Sequence, residues 1–420
     1  MTSRIQSLDV LRGIAVLGLP TMNIISFSMP SAAYLNPTVF DNTSAMNHFL
    51  FSLFQIFADQ KFMGLFSILF GAGIILLAEK RKERGQCTFC GHFSRMFWLL
   101  VFGILHYWFL WYGDILSIYA LIALFVFPFY KSSTKFLLSI TIISLSLSVI
   151  LSSNAYVTEA VMGRTAKLEL MQDYSPSQEH VDKIKEQRLS PSYQDNMLEY
   201  REIFFQDLDE DMQDDQNENE ADSYVTDQLF YQAVCKVFGL MTLGMLLYRT
   251  GYLSGQRSRT EYQLMAQFGF IIGMSFTFSA LFWNYTHNWD AQAYFEYGML
   301  LSNIGSIAMT IAYIGLFVLL QINGYFGRAT EYVASVGRMA LTNYLMQSFI
   351  CIVIFYGFGL GLYGSLTRLG LIPIIVLICG FQLLFSKYWL SYFMQGPFEF
   401  LLRTLATFKI QGILKPSTSA

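Results

Sequence analysis

Charge is what this chain has least of. Charged side chains make up 14% of its 420 residues, against about 25% in an ordinary soluble domain. Such a surface cannot be clothed for water. Five cysteines (Cys87, Cys90, Cys235, Cys351, Cys379) are too scattered to suggest a disulfide framework. The alternating strands of about 10 residues that build a membrane barrel are missing. So are the nucleophile elbow, the Walker loop and the dinucleotide fingerprint. Gly357, Gly359, Gly361 and Gly364 match no phosphate loop and fit close packing or a bent outer segment.

What remains is apolar. The chain is 54% hydrophobic, with Phe 39, Tyr 25 and Met 19. Apolar runs of roughly 18–22 residues recur, each long enough to cross a hydrocarbon core of about 30 Å. The fold class expected is an all-α polytopic membrane protein with about ten transmembrane helices. The spans fall near 8–29, 61–78, 95–111, 115–130, 136–153, 229–248, 264–283, 297–320, 333–355 and 369–385. The first is read as a span and not a cleaved leader, because it is long and Asp9 is foreign to a basic leader. Residues 30–58, amphipathic toward their end with Phe49, Phe51, Phe54 and Phe57, fit a helix along the membrane interface.

The charge is also sorted. Residues 153–226 hold 18 acidic and 6 basic side chains, and the rest of the chain holds 21 basic against 12 acidic. Ten spans with both termini cytoplasmic put Arg4, the cluster at 80–84, Lys131, Lys135, Arg249, Arg257, Arg259, Arg328 and the basic tail on one side. Every short loop then obeys the positive-inside rule. Three parts follow: an N-terminal membrane domain (1–152), an acidic extracytoplasmic insert (153–226) and a C-terminal membrane domain (227–420). Asp207 to Asp222 is too charged to pack against lipid, and Asp209, Asp211, Asp214 and Asp215 read as a solvated run, not a calcium loop.

An ionisable residue inside a span is costly and marks a functional site by default. His106 lies in such a run, eight residues before Asp114 across the turn Tyr112-Gly113-Asp114. An imidazole is a base near neutral pH, and a carboxylate can orient it, provided the hairpin folds back closely. Asp114 also reads as the cap of the next helix. His106 and Asp114 are therefore the candidate catalytic pair, with a structural histidine bonded to a carbonyl as the alternative. Asp59 and Lys61 sit at the same outer face. At the inner face, Asp9 and Arg12 share one helical side and Arg338 begins span nine; a guanidinium there suits phosphate or carboxylate, or anchors the interface. Asn23, Asn343 and Gln347 offer polar contacts or interhelical glue. Cys87, Cys90 and His92 have half a zinc site's spacing with no second ligand pair, so no metal is expected. His48 and His287 lie in outer loops.

Several stretches resemble the YeiB-like bacterial membrane proteins. They are Leu8-Asp9-Val10-Leu11-Arg12-Gly13, Met22-Asn23-Ile24, Leu69-Phe70-Gly71-Ala72-Gly73, Gly103, His106, Trp111 and Gly113-Asp114-Ile115-Leu116. The C-terminal half is similar to that family's domain of unknown function through Val336-Gly337-Arg338-Met339-Ala340-Leu341-Thr342-Asn343-Tyr344-Leu345 and Gly396-Pro397-Phe398-Glu399. The N-terminal half also resembles the transmembrane acyltransferase superfamily. That resemblance implies acyl transfer from cytoplasmic acyl-CoA to an extracytoplasmic acceptor. His48 falls near that superfamily's histidine, but its surroundings do not reproduce the motif, so the role is not carried over.

Two functions are expected from this. In the first, an integral-membrane acyltransferase holds acyl-CoA at Arg12 and Arg338, and His106 with Asp114 activates an acceptor among Asn23, Asp59, Lys61 and Asn343. The alternative is a small-solute transporter with the same residues along a pathway, although no internal repeat supports it. The expected partners are the bilayer, a small-molecule or cell-envelope acceptor and, as an open alternative, a second copy of the chain. No nucleic acid is expected. The location implied is the bacterial cell membrane.

Overall fold

The computed structural model describes residues 6–153, 174–197, 220–410 and 412–415, with backbone alone over 220–228. No strand is present among them. Eight of its helical stretches are long and apolar enough to cross a membrane, and a bent pair makes nine. The chain is thus an all-helical, multi-pass membrane protein. All ten expected spans are helical. The fourth, Leu116–Lys131, is shorter than the rest.

The N-terminal helices are α1 (Gln6–Gly18), α2 (Pro20–Ser28), α3 (Ala45–Phe57), α4 (Lys61–Glu83), α5 (Thr88–Phe109), α6 (Leu116–Val126) and α7 (Thr134–Leu151). Helix α8 (Gln178–Leu189) lies in the insert. Then come α9 (Glu220–Arg249), α10 (Arg259–Thr286), α11 (Met299–Ile322), α12 (Ala329–Arg338), α13 (Ala340–Phe355), α14 (Arg368–Tyr392) and α15 (Pro397–Thr407). Helix α4 is the hub. It packs on α1, α5, α6, α9 and α11, so N- and C-terminal spans share one bundle.

Lipid gives apolar helices no reason to associate, so close backbone approach must do it. Glycines mark the crossings. A Cβ on Gly71 of α4 would lie 1.9 Å from the Met241 carbonyl oxygen, and one on Gly244 of α9 would lie 1.9 Å from that of Ile68. Helices α1 and α12 cross in the same reciprocal way, Gly13 against Val333 and Gly337 against Asp9.

Three expectations change. The segment expected to lie along the interface does not. Helix α3 continues α4 through a break at Asp59-Gln60, with Gln60 left-handed at φ 57°, and the two form one 39-residue stretch. At 1.5 Å per residue that is about 58 Å, roughly twice a hydrocarbon core, so α3 projects beyond the span. Amphipathic aromatics serve a helix packed on protein as well as one floating on lipid. The expected ninth span, 333–355, is two helices bent by 84° at Met339. There Glu399 of α15 accepts from the backbone N–H of Leu341 (2.8 Å) and Thr342 (3.1 Å), capping the N-terminus of α13. Finally, Cys87 and Cys90 form a disulfide, and His92 turns away to bond the Ala123 carbonyl oxygen at 3.1 Å.

The described part of the insert is docked. Tyr174 is buried against Tyr294 and Phe295, and Ile184 and Met197 join the apolar cluster around Phe27 and Trp111. Gly357 sits where a Cβ would strike the Leu189 carbonyl at 2.1 Å, the close packing expected of that glycine run. Asp209, Asp211, Asp214 and Asp215 lie outside the described residues.

If backbone contact holds the hub, Gly244→Val costs about 1–3 kcal/mol through overpacking. Unfolding in mixed micelles measures it, with Gly380→Val, whose site is open, as the neutral control. Equal stability of the two variants contradicts the account.

Candidate functional site

The turn after α5 does fold back. Gly103 permits it: a Cβ there would lie 2.4 Å from the Ser117 nitrogen and 2.7 Å from Asp114 Oδ2. Asp114 Oδ2 accepts from the Ser117 N–H at 2.8 Å and its hydroxyl at 2.6 Å, so the carboxylate caps α6. Its other oxygen faces His106 Nδ1 at 2.9 Å.

The second ring nitrogen, Nε2, is 2.8 Å from Ser348 Oγ on α13. An ionised carboxylate only accepts, so Nδ1 carries the proton and Nε2 presents its lone pair to the serine hydroxyl. Asp114, His106 and Ser348 thus form a hydrogen-bonded line in which a carboxylate can orient an imidazole and the imidazole can act as base toward a hydroxyl. Tyr344, one turn before Ser348, places its ring 5.0 Å from the imidazole and its hydroxyl 3.5 Å from the Gly113 carbonyl oxygen. The Trp111 ring stands edge-on at 6.3 Å and lies tilted against Phe27 at 4.7 Å between ring centres. Its indole N–H is buried without a partner among the described residues.

The group is sealed. The side chains of His106 and Asp114 are 0% exposed and Ser348 is 2%. The rings of Trp111 and Tyr344 pack against the imidazole within this buried group.

The other site residues divide. Near the crossing of α1 with α12, Arg12 pairs with Asp9 at 3.4 Å, and Arg338 donates to the Met394 carbonyl oxygen at 3.1 Å. Arg95 of α5, not singled out in the sequence, lies among Arg12, Arg81, Arg403 and Glu399. Asn343 is fully buried and bonded to Val336 O and Ser386 Oγ, while Gln347 bonds Val16 O and Gln382. That is interhelical glue for the bent α13. Asn23 is half-buried on α2 and bonds none of the other site residues. His48 sits beside Tyr285, away from His106. His287 packs on Trp283 at 3.9 Å between ring centres.

Asp59 and Lys61 belong to a second buried polar centre at the α3–α4 break. Asp59 Oδ1 accepts from the Tyr34 hydroxyl at 2.8 Å, and the Lys61 ammonium donates to the Gln55 carbonyl oxygen. Lys236 of α9, missed in the sequence, joins it by donating to Gln60 Oε1 and to Ser306 Oγ. Burial of Tyr34 beside the Asp59 carboxylate drives its phenol well above the ordinary tyrosine range.

Residues 247–409 match a family described as a protein of unknown function, DUF418. The chain is 29% identical to the uncharacterized protein YxaH of Bacillus subtilis (strain 168), over 98% of this chain and 96% of that one. It is 28% identical to the uncharacterized protein YeiB of Escherichia coli (strain K12), over 95% of each. A 39.9 kDa uncharacterized protein from the amylase 3′ region of Bacillus acidopullulyticus is 23% identical over 96% of this chain and 94% of its own. No solved structure matches.

Asp114→Ala strands the His106 Nδ1–H and uncaps α6 together, and is expected to cost about 3 kcal/mol. Ser117→Ala removes only one bond to that cap and costs about 1 kcal/mol. Unfolding of both in mixed micelles measures the gap; equal losses contradict the buried network.

Proposed function

We propose that this YeiB-like membrane protein transfers an acyl group through Ser348, activated by His106 and oriented through Asp114. The hydrogen-bonded line of the three carries the reading. Attack of Ser348 Oγ on the thioester carbonyl of acyl-CoA forms the ester and breaks the carbon–sulfur bond. His106 Nε2 takes the serine proton and returns it to the departing thiolate. An acceptor hydroxyl or amine then attacks the acyl-serine, giving its proton to His106, and Ser348 is reprotonated as the ester breaks. Atoms and charge balance over the cycle, and no metal is needed. Because Nε2 is already engaged by Ser348, a relay through the serine fits the geometry better than direct activation of an acceptor by His106.

The donor side is supported by the arginines. Arg12, Arg81, Arg95 and Arg403 gather where α15 meets the bundle, beside the N-terminus of α13. Ser348 lies eight residues into α13, roughly 12 Å along its axis, a depth a pantetheine arm can reach. The positive-inside sorting of the short loops supports a cytoplasmic position for that end in the bacterial cell membrane, with both termini inside and the insert outside. Acyl-CoA enters from the cytoplasm and the acceptor comes from the envelope side, under the docked α8.

The second reading, a solute pathway, is favoured by one observation, the buried Asp59–Lys61–Lys236 centre at a broken helix.

Oriented vesicles holding the full chain test the first reading. With labelled acyl-CoA on the Arg95 side and envelope extract on the other, transfer is expected. Ser348→Ala and His106→Ala should each lower it by about 10³-fold or more. Transfer that survives Ser348→Ala, or label that moves only when both substrates share a side, overturns it.

A further inference from the structure

Cys87 and Cys90 are bridged at the N-terminus of the 22-residue helix α5, and both are exposed. A bridge that closes so short a loop removes little chain entropy, so it is a poor staple. The short-loop charges that support a cytoplasmic position for this end also argue against a permanent bond. Cytoplasmic thiols are kept reduced, and disulfides found among them are mostly transient. His92, the nearest imidazole along the chain, is turned to the Ala123 carbonyl oxygen, which leaves the pair to thiol chemistry.

The surroundings of the two sulfurs favour a thiolate. Cys87 is the N-cap of α5, and its Sγ accepts from the Cys90 backbone N–H at 3.1 Å. A helix N-terminus carries partial positive charge, and a sulfur placed there is stabilised as the anion. Arg81 of α4 donates to the Cys87 carbonyl oxygen at 3.3 Å. Its guanidinium also lies on the α5 backbone at Gly91, where a Cβ would be 1.8 Å from Arg81 Cζ. Gly91 follows Cys90 directly, so one cation flanks both ends of the pair. Lys82 and Arg84 are exposed in the same connection, with Glu83 between them. Cys87, which caps the helix, is therefore the sulfur best held as a thiolate.

We infer that Cys87 and Cys90 are a redox-active pair that exchanges with a cytoplasmic thiol reductant through Cys87. The reductant's thiolate attacks Cys87 Sγ, forms a mixed disulfide and releases Cys90 as a thiolate, which takes a proton. A second reductant thiolate then attacks the reductant's own sulfur in that mixed disulfide and releases Cys87. Two electrons pass to the pair, the hydrogens of the two reductant thiols end on Cys87 and Cys90, and the reductant leaves as its disulfide. The cap and Arg81 hold the departing Cys87 thiolate, so they favour the reduced form. The pair lies nineteen residues from His106 on α5, roughly 28 Å along the helix, and the inference stands whether or not acyl transfer does.

The full chain in detergent is equilibrated with glutathione buffers of graded thiol-to-disulfide ratio, quenched in acid, alkylated and read by peptide mass spectrometry. The folded chain is expected to pass reversibly between the Cys87–Cys90 disulfide and the dithiol. Arg81→Gln should shift that equilibrium toward the disulfide at least about threefold. Cys90→Ser should trap glutathione on Cys87, and Cys87→Ser should trap at least about tenfold less on Cys90. Should a variant fail to fold, the titration of the unaltered chain decides alone. A pair that never oxidises, a bridge that yields only after denaturation, equal adducts on the two cysteines, or an unchanged equilibrium in folded Arg81→Gln each overturns the inference.

Discussion

A polar group carried into an apolar bundle must find its partner inside it, because the hydrocarbon around offers none. That constraint organises this molecule more than any single packing contact. Gln347, Gln382, Asn343 and Ser386 satisfy one another and the backbone of α1, and so hold a helix bent by 84° against its neighbours. Glu399 closes the N–H groups that the same bend frees. Where the accounts close, the groups are structural. Where they leave a reactive order, as at Asp114, His106 and Ser348, the arrangement points to function.

Helix breaks supply these places. The turn at Gly113 brings a carboxylate back onto α5, the break at Gln60 exposes two lysines to the same interior, and the bend at Met339 sets the register of Ser348 on α13. Each break sits beside glycine-mediated contact, which fixes neighbouring backbones closely enough for a hydrogen bond of 2.8 Å to form between α5 and α13. Under the proposed acyl transfer, the seal over the imidazole has a chemical use. A nucleophile sheltered from water does not lose its acyl group to hydrolysis before the acceptor arrives.

Much of this was legible in the chain itself. The spans follow from apolar length, and His106 with Asp114 stood out because an ionisable residue in an apolar run is rare. Ser348 did not, since serine is common in membrane helices and its neighbour in space is 242 residues away. Lys236 carried the same signal as His106, an ionisable side chain inside an apolar span, and was not singled out. Arg95 was likewise absorbed into the start of a span. Whether α3 floats on lipid or continues α4 turns on one left-handed residue, Gln60, which no periodicity reveals. That His92 turns from the cysteines to Ala123 is a contact between helices, which spacing along the chain does not reveal.

The central claim is that Ser348 is an activated nucleophile and not merely a buried hydroxyl. Fluorophosphonate labelling of the purified chain, read by peptide mass spectrometry, tests it most directly, because the reagent needs a base-activated serine and no knowledge of substrate. The account predicts an adduct on Ser348 that disappears in His106→Ala and is reduced in Asp114→Asn. An unlabelled Ser348, or an adduct formed equally without His106, would contradict it.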